Sequence, residues 1–263
     1  MKRLIENFYN IYRKRYLLQQ LVVNNLRLKY RRSIFGYIWS ILNPLSVMAI
    51  MILVFSVMFH SEIENFPVYL LIGRLCFDFM NEGTRSGMTA INDNASLLKK
   101  AYVPKIIFPL ATTTYSFLNF IFALGALVIV MIFTKCVPSW HIILFPLILL
   151  ELYVFVFGLS LILAQSFVRF KDTLYIYNAF IVAWMYLTPI FYPADILKAT
   201  KILQLLYRLN PMYHYIAQAR DVILYHQLPG VGIVVAGLLC SVTMLLLGIW
   251  VFYKNQDNFI LYI

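Results

Sequence analysis

Long uncharged runs alternate with short charged ones along this chain. Gly36–Phe59 carries no charge over 24 residues, Ile106–Thr134 none over 29, Thr173–Ala194 none over 22 and Pro229–Tyr253 none over 25. Two further apolar stretches break the rule mildly: Pro67–Ala90 holds four charges and His141–Val168 a single acid, Glu151. At a rise of about 1.5 Å per residue, each run can cross a hydrocarbon core about 30 Å thick. The pattern predicts an all-α polytopic membrane protein with six transmembrane helices. Asn43-Pro44 in the first and Thr188-Pro189 near the end of the fifth predict a kink and a break, because proline removes a donor and crowds the preceding turn.

Two regions fit neither a span nor a free loop. In residues 1–35, Leu4, Phe8, Tyr12 and Tyr16 recur every fourth position among nine basic residues, which predicts an N-terminal amphipathic helix lying at the membrane interface. Between spans five and six, 195–228 mixes Lys198, Lys201, Arg208, Arg220 and Asp221 with persistent leucine, isoleucine and tyrosine. Short outer re-entrant helices, with backbone buried in protein, satisfy both demands. The expected domain plan is therefore an interface segment, 1–35, and a six-span domain, 36–263.

Composition sharpens this reading. The chain is 62% hydrophobic and 13% charged, with mean hydropathy +0.78, against about 45–50% and about 25% in soluble domains. The net charge of +11 sits beside apolar runs, so it marks cytoplasmic loops rather than nucleic-acid binding. With both termini placed in the cytoplasm, inside segments hold 15 Lys and Arg against five outside. The first thirty residues lack the compact apolar core of a cleavable signal peptide and are expected to remain on the chain. Cys76, Cys136 and Cys240 are far apart, no metal-ligand spacing appears, and no P-loop or hydrolase motif is found. Enzyme activity within this polypeptide is not expected, and any uphill transport needs a partner or an ion gradient.

The second stretch is unusual. At 100° per residue, Arg74, Asp78, Glu82 and Arg85 fall within 80° of one another on one face. Arg74–Asp78 has i,i+4 spacing and Glu82–Arg85 i,i+3. Such a stripe avoids lipid; it either lines a hydrated path or subunit seam, or consists of self-paired structural ions. Gly83 and Gly87 form a GxxxG pattern suited to close helix packing.

Several segments carry a resemblance. Arg31-Arg32-Ser33-Ile34-Phe35-Gly36-Tyr37-Ile38-Trp39-Ser40, followed by Leu42-Asn43-Pro44, resembles the start of the first span in ABC-2-type permeases that export lipid-linked polysaccharides such as O-antigen, teichoic acid and capsule. Asn94–Lys105 with Pro109-Leu110 is similar to that family's cytoplasmic coupling segment, taken here as 92–105, and Arg169-Phe170-Lys171-Asp172 to its inner loop. Thr188–Pro193 and Leu209–Met212 resemble the signatures flanking its outer re-entrant helices. The charges at Arg74 and Asp78 depart from the family's aromatic start to span two.

The resemblance implies a half-transporter in the bacterial cytoplasmic membrane. A second copy of the chain would complete the pore, and a separate pair of ABC ATPase subunits would hold the ATP and Mg. The cargo would be a polysaccharide on undecaprenyl diphosphate. Coupling to the ATPase is expected at Asp93, Asn94, Leu97, Leu98, Lys99, Tyr102 and Pro104, with Leu97 and Leu98 as apolar anchors and Pro104 as the stop. Lys29, Arg31 and Arg32 are candidates for the lipid diphosphate, plain positive-inside anchoring being the alternative. Phe35, Tyr37 and Trp39, with Arg74, Asp78, Glu82 and Arg85, are candidates for the translocation path. A drug or lipid exporter of the same architecture is a second reading. An ion-coupled transporter is a third, disfavoured because Glu151 stands alone and no inverted repeat is visible.

Overall fold

The computed structural model describes residues 14–30, 33–59, 63, 65–100, 103–193 and 200–262, and every regular element among them is helical. The expected amphipathic repeat Leu4–Tyr12 lies outside the described residues, as do 194–199 of the outer segment.

Helix α1 (Arg15–Tyr30) leads through a turn at Gly36 into α2 (Trp39–Phe59). Gly36 has φ +50°, which a side chain rarely adopts, and its N–H donates to Ser33 Oγ at 3.2 Å. Helix α3 (Phe66–Asp93) is followed by the six-residue α4 (Ala95–Lys100) and then by α5 (Ile107–Phe133). A 3₁₀ turn, Trp140–Leu144, opens α6 (Phe145–Arg169); α7 (Thr173–Leu187) follows. Two short helices, α8 (Lys201–Leu209) and α9 (Pro211–Ile223), precede α10 (Val231–Asn255). A 3₁₀ turn, Gln256–Asn258, and the four-residue α11 (Phe259–Tyr262) complete the described chain.

Among the described residues, four segments are long and apolar enough to cross a membrane: Gly36–Val54, Ile107–Phe133, Trp140–Arg169 and Val231–Asn255. Helix α3 has the length, 28 residues, but its charges lower its hydropathy. The fifth expected span differs more. Its helix ends at Leu187 after 15 residues, about 22 Å and so short of a bilayer core. Residues 188–193 continue as irregular backbone, with Thr188, Ile190 and Phe191 buried.

The core lies where α3, α6 and α9 meet, with α5 and α10 packed around them. Glycines set the closest approaches. A Cβ on Gly83 would lie 2.7 Å from Val156 Cγ1, and one on Gly87 2.5 Å from Ser160 Cβ, so the GxxxG pattern packs α3 against α6. A Cβ on Gly248 would sit 2.3 Å from the Gly158 carbonyl oxygen, so α6 and α10 touch backbone to backbone. Helices α2, α7 and α10 leave large apolar side chains exposed, among them Leu53, Ile176 and Leu246. Outward-facing surface of this kind suits lipid or another protein subunit.

Candidate functional site

Helix α3 is buried over most of its circumference. From Arg74 onward, the positions that stay accessible are Arg74, Asp78, Asn81, Glu82, Arg85, Ser86, Thr89, Asn92 and Asp93. Arg74, Asp78, Asn81, Glu82 and Arg85 form one stripe that faces a cavity of about 530 Å³ between α3, α2, α5 and the end of α1. Lys29, Trp39, Ser40, Asn43, Asn81 and Asn119 complete the polar lining. The four charges singled out by helical spacing thus share one cavity, together with Lys29 and Trp39. Phe35 and Tyr37 stand apart from it: Phe35 meets Trp39 edge-on at 5.8 Å, and Tyr37 packs on Phe122 of α5 at 5.7 Å.

The ion pairing departs from spacing alone. Arg74 Nε donates to Asp78 Oδ2 at 2.8 Å, as the i,i+4 register predicts, and Arg74 Nη1 reaches Met185 Sδ at 3.3 Å. Glu82 does not pair with Arg85. Lys29 Nζ, delivered by α1, takes Glu82 Oε1 at 2.8 Å, and Asn119 Nδ2 donates to the same oxygen at 3.3 Å. Lys29 also lies 5.7 Å over the Tyr115 ring. The reason is packing: α1 lies along α5, and a cross-helix partner backed by a ring and an amide outcompetes a local i,i+3 pair worth only about 0.2–0.5 kcal/mol. Arg85 is left exposed at the cavity, and Asn119 Oδ1 is buried without a partner among the described residues. Three cations and two carboxylates give the cavity one net positive charge.

Of the diphosphate candidates, Lys29 is therefore engaged by Glu82, and Arg31 and Arg32 lie outside the described residues. In the coupling segment, Tyr102 also lies outside them. Thr89 Oγ1 donates to Asp93 Oδ2 at 2.7 Å, and Asn94 Nδ2 donates to the Ala90 carbonyl at 2.8 Å while its own carbonyl starts α4. The Ile107 N–H donates to the Pro104 carbonyl at 3.0 Å, opening the next helix. Leu97 and Leu98, expected as apolar anchors, are half-buried; like Leu17, Leu18 and Leu21 of α1, they pack against the cluster of Ala90, Val103, Ile107 and Phe108. The exposed face of α4 and its approach is polar: Asp93, Ser96, Lys99 and Lys100. Lys171 of the neighbouring loop stacks over Phe167 at 4.6 Å; partial desolvation holds its ammonium below the ordinary lysine range, with Asp93 opposing that shift.

At the opposite end, two proline signatures interlock. Asn210 Oδ1 caps α9 by accepting from the Met212 N–H at 3.1 Å, and it also accepts from Trp184 Nε1 at 2.8 Å. Asn210 Nδ2 donates to Thr188 Oγ1 at 2.9 Å. Arg220, 4% exposed, donates to the carbonyls of Pro189 at 2.7 Å, Tyr69 at 3.2 Å and Ile190 at 3.3 Å, and stacks 3.3 Å over the Tyr69 ring. Sequence reasoning counted Arg220 as a loop charge. An arginine among persistent apolar residues was the available signal, since a buried cation needs acceptors.

Comparison with known proteins bears on this architecture. A family model described as "ABC-2 type transporter" matches residues 16–224. The chain is similar to the O-antigen export system permease protein RfbA of Myxococcus xanthus, with 29% identity over 249 residues covering 95% of this chain and 96% of that protein. It is also similar to an O-antigen export system permease protein RfbA of Klebsiella pneumoniae, with 28% identity over 213 residues covering 78% of this chain and 80% of that protein.

Proposed function

The chain belongs to the ABC-2 type transporter family, and we propose that it is the permease subunit of an exporter carrying an undecaprenyl-diphosphate-linked polysaccharide across the bacterial cytoplasmic membrane. The relatives named for O-antigen export, matched over nearly the whole chain in one case, support a polysaccharide cargo. Two copies form the path, and a separate ATPase pair binds ATP and Mg and supplies the energy.

In this reading the six crossings are α2, α3, α5, α6, α7 with 188–193, and α10, with both termini cytoplasmic. Helices α8 and α9 re-enter from the outer side within 195–228. Arg220 satisfies the Pro189 and Ile190 carbonyls there, as backbone inside a bilayer requires, while Asn210 holds the Thr188 hydroxyl. The six-span domain is 36–263, the interface segment 1–35 and the coupling segment 92–105. The polar face of α4, with Lys99 and Lys100, docks on the ATPase, while Leu97 and Leu98 pass the load inward to α1 and α5.

The observation that carries the transport role is the charged stripe of α3 facing a cavity beside Trp39. Five ionised side chains, several amides and an indole offer hydrogen bonds to sugar hydroxyls and a stacking surface for a pyranose ring. The net positive charge suits one anionic group. Arg85 is exposed there, whereas Lys29 engages a phosphate only by leaving Glu82, so cargo binding and release of α1 from α3 are linked.

Asn81→Cys, in a background with Cys76, Cys136 and Cys240 replaced by alanine, tests the path. Alkylation with a bulky maleimide lowers polysaccharide export at least tenfold. Complete labelling with export unchanged removes the cavity from the path.

A further inference from the structure

Beyond the last span the chain does not trail away. Phe259 is fully buried, in one cluster with Ile91 at the end of α3, Ile106 before α5, Leu161, Ala164 and Val168 near the end of α6, and Phe252 of α10. Its ring meets Phe252 edge-on at 5.3 Å. Leu98 of α4 packs against the same cluster. Lys105, one residue past Pro104, donates its ammonium to the Gln256 carbonyl and lies 5.5 Å over the Phe259 ring. Arg169 Nη2 fastens the inner end of α6 to Asn255 Oδ1 at 2.6 Å. A four-residue helix has no stability of its own in water, so α11 owes its form to these contacts.

We propose that residues 255–262 are a strut that positions the coupling segment, with Phe259 and the Lys105–Gln256 bond as its working contacts. The proposal rests on the assignment of α4 as the ATPase-docking element. A load applied to a six-residue helix reaches the spans through whatever backs it. Leu97 leads to α1 and α5. Leu98, Lys105 and Phe259 lead to the ends of α3, α6 and α10 through one close-packed cluster, and close-packed interiors transmit displacement rather than absorb it. Removing the Phe259 ring leaves α4 and its exposed lysines in place but takes away this second support. ATP is then hydrolysed without a matching movement of α6 and α10. Phe259 and Lys105 are positioning residues; neither touches cargo or nucleotide.

The test uses the full transporter, permease with its ATPase, in proteoliposomes, and reads export per ATP hydrolysed. Phe259→Ala co-purifies with the ATPase as well as the parent does and hydrolyses ATP, yet its export per ATP falls about tenfold. Phe259→Leu recovers most of the loss, and Lys105→Met, which keeps the aliphatic stem, falls severalfold. Should Phe259→Ala lower the amount of folded protein, Lys105→Met alone decides. Export per ATP within twofold of the parent in the folded variants overturns the proposal. So does a parallel fall of export and hydrolysis, which marks a merely structural role. The double variant Lys99→Glu, Lys100→Glu separates the premise: it loses ATPase co-purification if α4 docks. If it keeps both co-purification and export, the docking assignment fails and the strut with it.

Discussion

Arg220 gives the most quantitative test of how the irregular backbone after α7 is held. Its guanidinium serves the carbonyls of Pro189, Ile190 and Tyr69. The Tyr69 carbonyl lies inside α3, where the helix supplies a partner, and the Pro189 carbonyl keeps a long bond from the Tyr69 hydroxyl at 3.4 Å, so the Ile190 carbonyl depends on Arg220 outright and the Pro189 carbonyl in large part. Substituting Arg220→Met keeps volume but orphans the Ile190 carbonyl and leaves the Pro189 carbonyl on that one long bond, at about 1–3 kcal/mol each. Loss of the stacking on Tyr69 adds about 0.5–2 kcal/mol. Relief from burying the guanidinium offsets part of this. The net expectation is a loss of about 2–4 kcal/mol. Arg220→Lys, a point donor without the fork, loses roughly half as much because it reaches one carbonyl. Gly73 offers an independent probe, because a Cβ there would lie 2.8 Å from Arg220 Nη2, so Gly73→Ala weakens the same contacts. Reversible unfolding in mixed micelles at rising SDS fraction measures all three. A loss below about 1 kcal/mol for Arg220→Met refutes the claim that Arg220 satisfies this turn.

Other consequences follow from the packing and pairing. Gly248→Val forces α6 and α10 apart at their backbone contact and costs about 1–3 kcal/mol or more on the same unfolding scale; wild-type stability contradicts the contact. Asn210→Leu removes the α9 cap and the partners of Trp184 and Thr188, for a loss of about 2 kcal/mol; a change under about 0.5 kcal/mol counts against the interlock. Lys29→Met frees Glu82 and loosens α1 from α3, read as faster proteolysis after α1 in inside-out vesicles; an unchanged rate means the bridge does not hold that helix.

The four long apolar segments ending in α2, α5, α6 and α10 were legible because apolar run length is a one-dimensional signal. The stripe Arg74–Asp78–Glu82–Arg85 was legible because helix periodicity alone places it on one face. Pairing within the stripe was not: Lys29 lies 53 residues from Glu82, and only the packing of α1 on α5 brings it there. Leu97 and Leu98 were legible as the apolar positions of a short polar segment, but the cluster of Ala90, Val103, Ile107 and Phe108 that they pack against was not. The end of α7 at Leu187 follows the break read at Thr188-Pro189, while hydropathy, which continues unbroken to Ala194, overstated the length of that helix. The role of Arg220 and the Gly158–Gly248 contact depend on neighbours distant in sequence, which no local pattern reveals.

The central claim is that this chain provides a path while a separate ATPase drives it. Transfer of lipid-linked polysaccharide between leaflets of proteoliposomes addresses it directly, with the permease alone, with its ATPase, and with ATP withheld. Transfer is expected only when permease, ATPase and Mg-ATP are all present. Net uphill transfer by the permease alone would contradict the account.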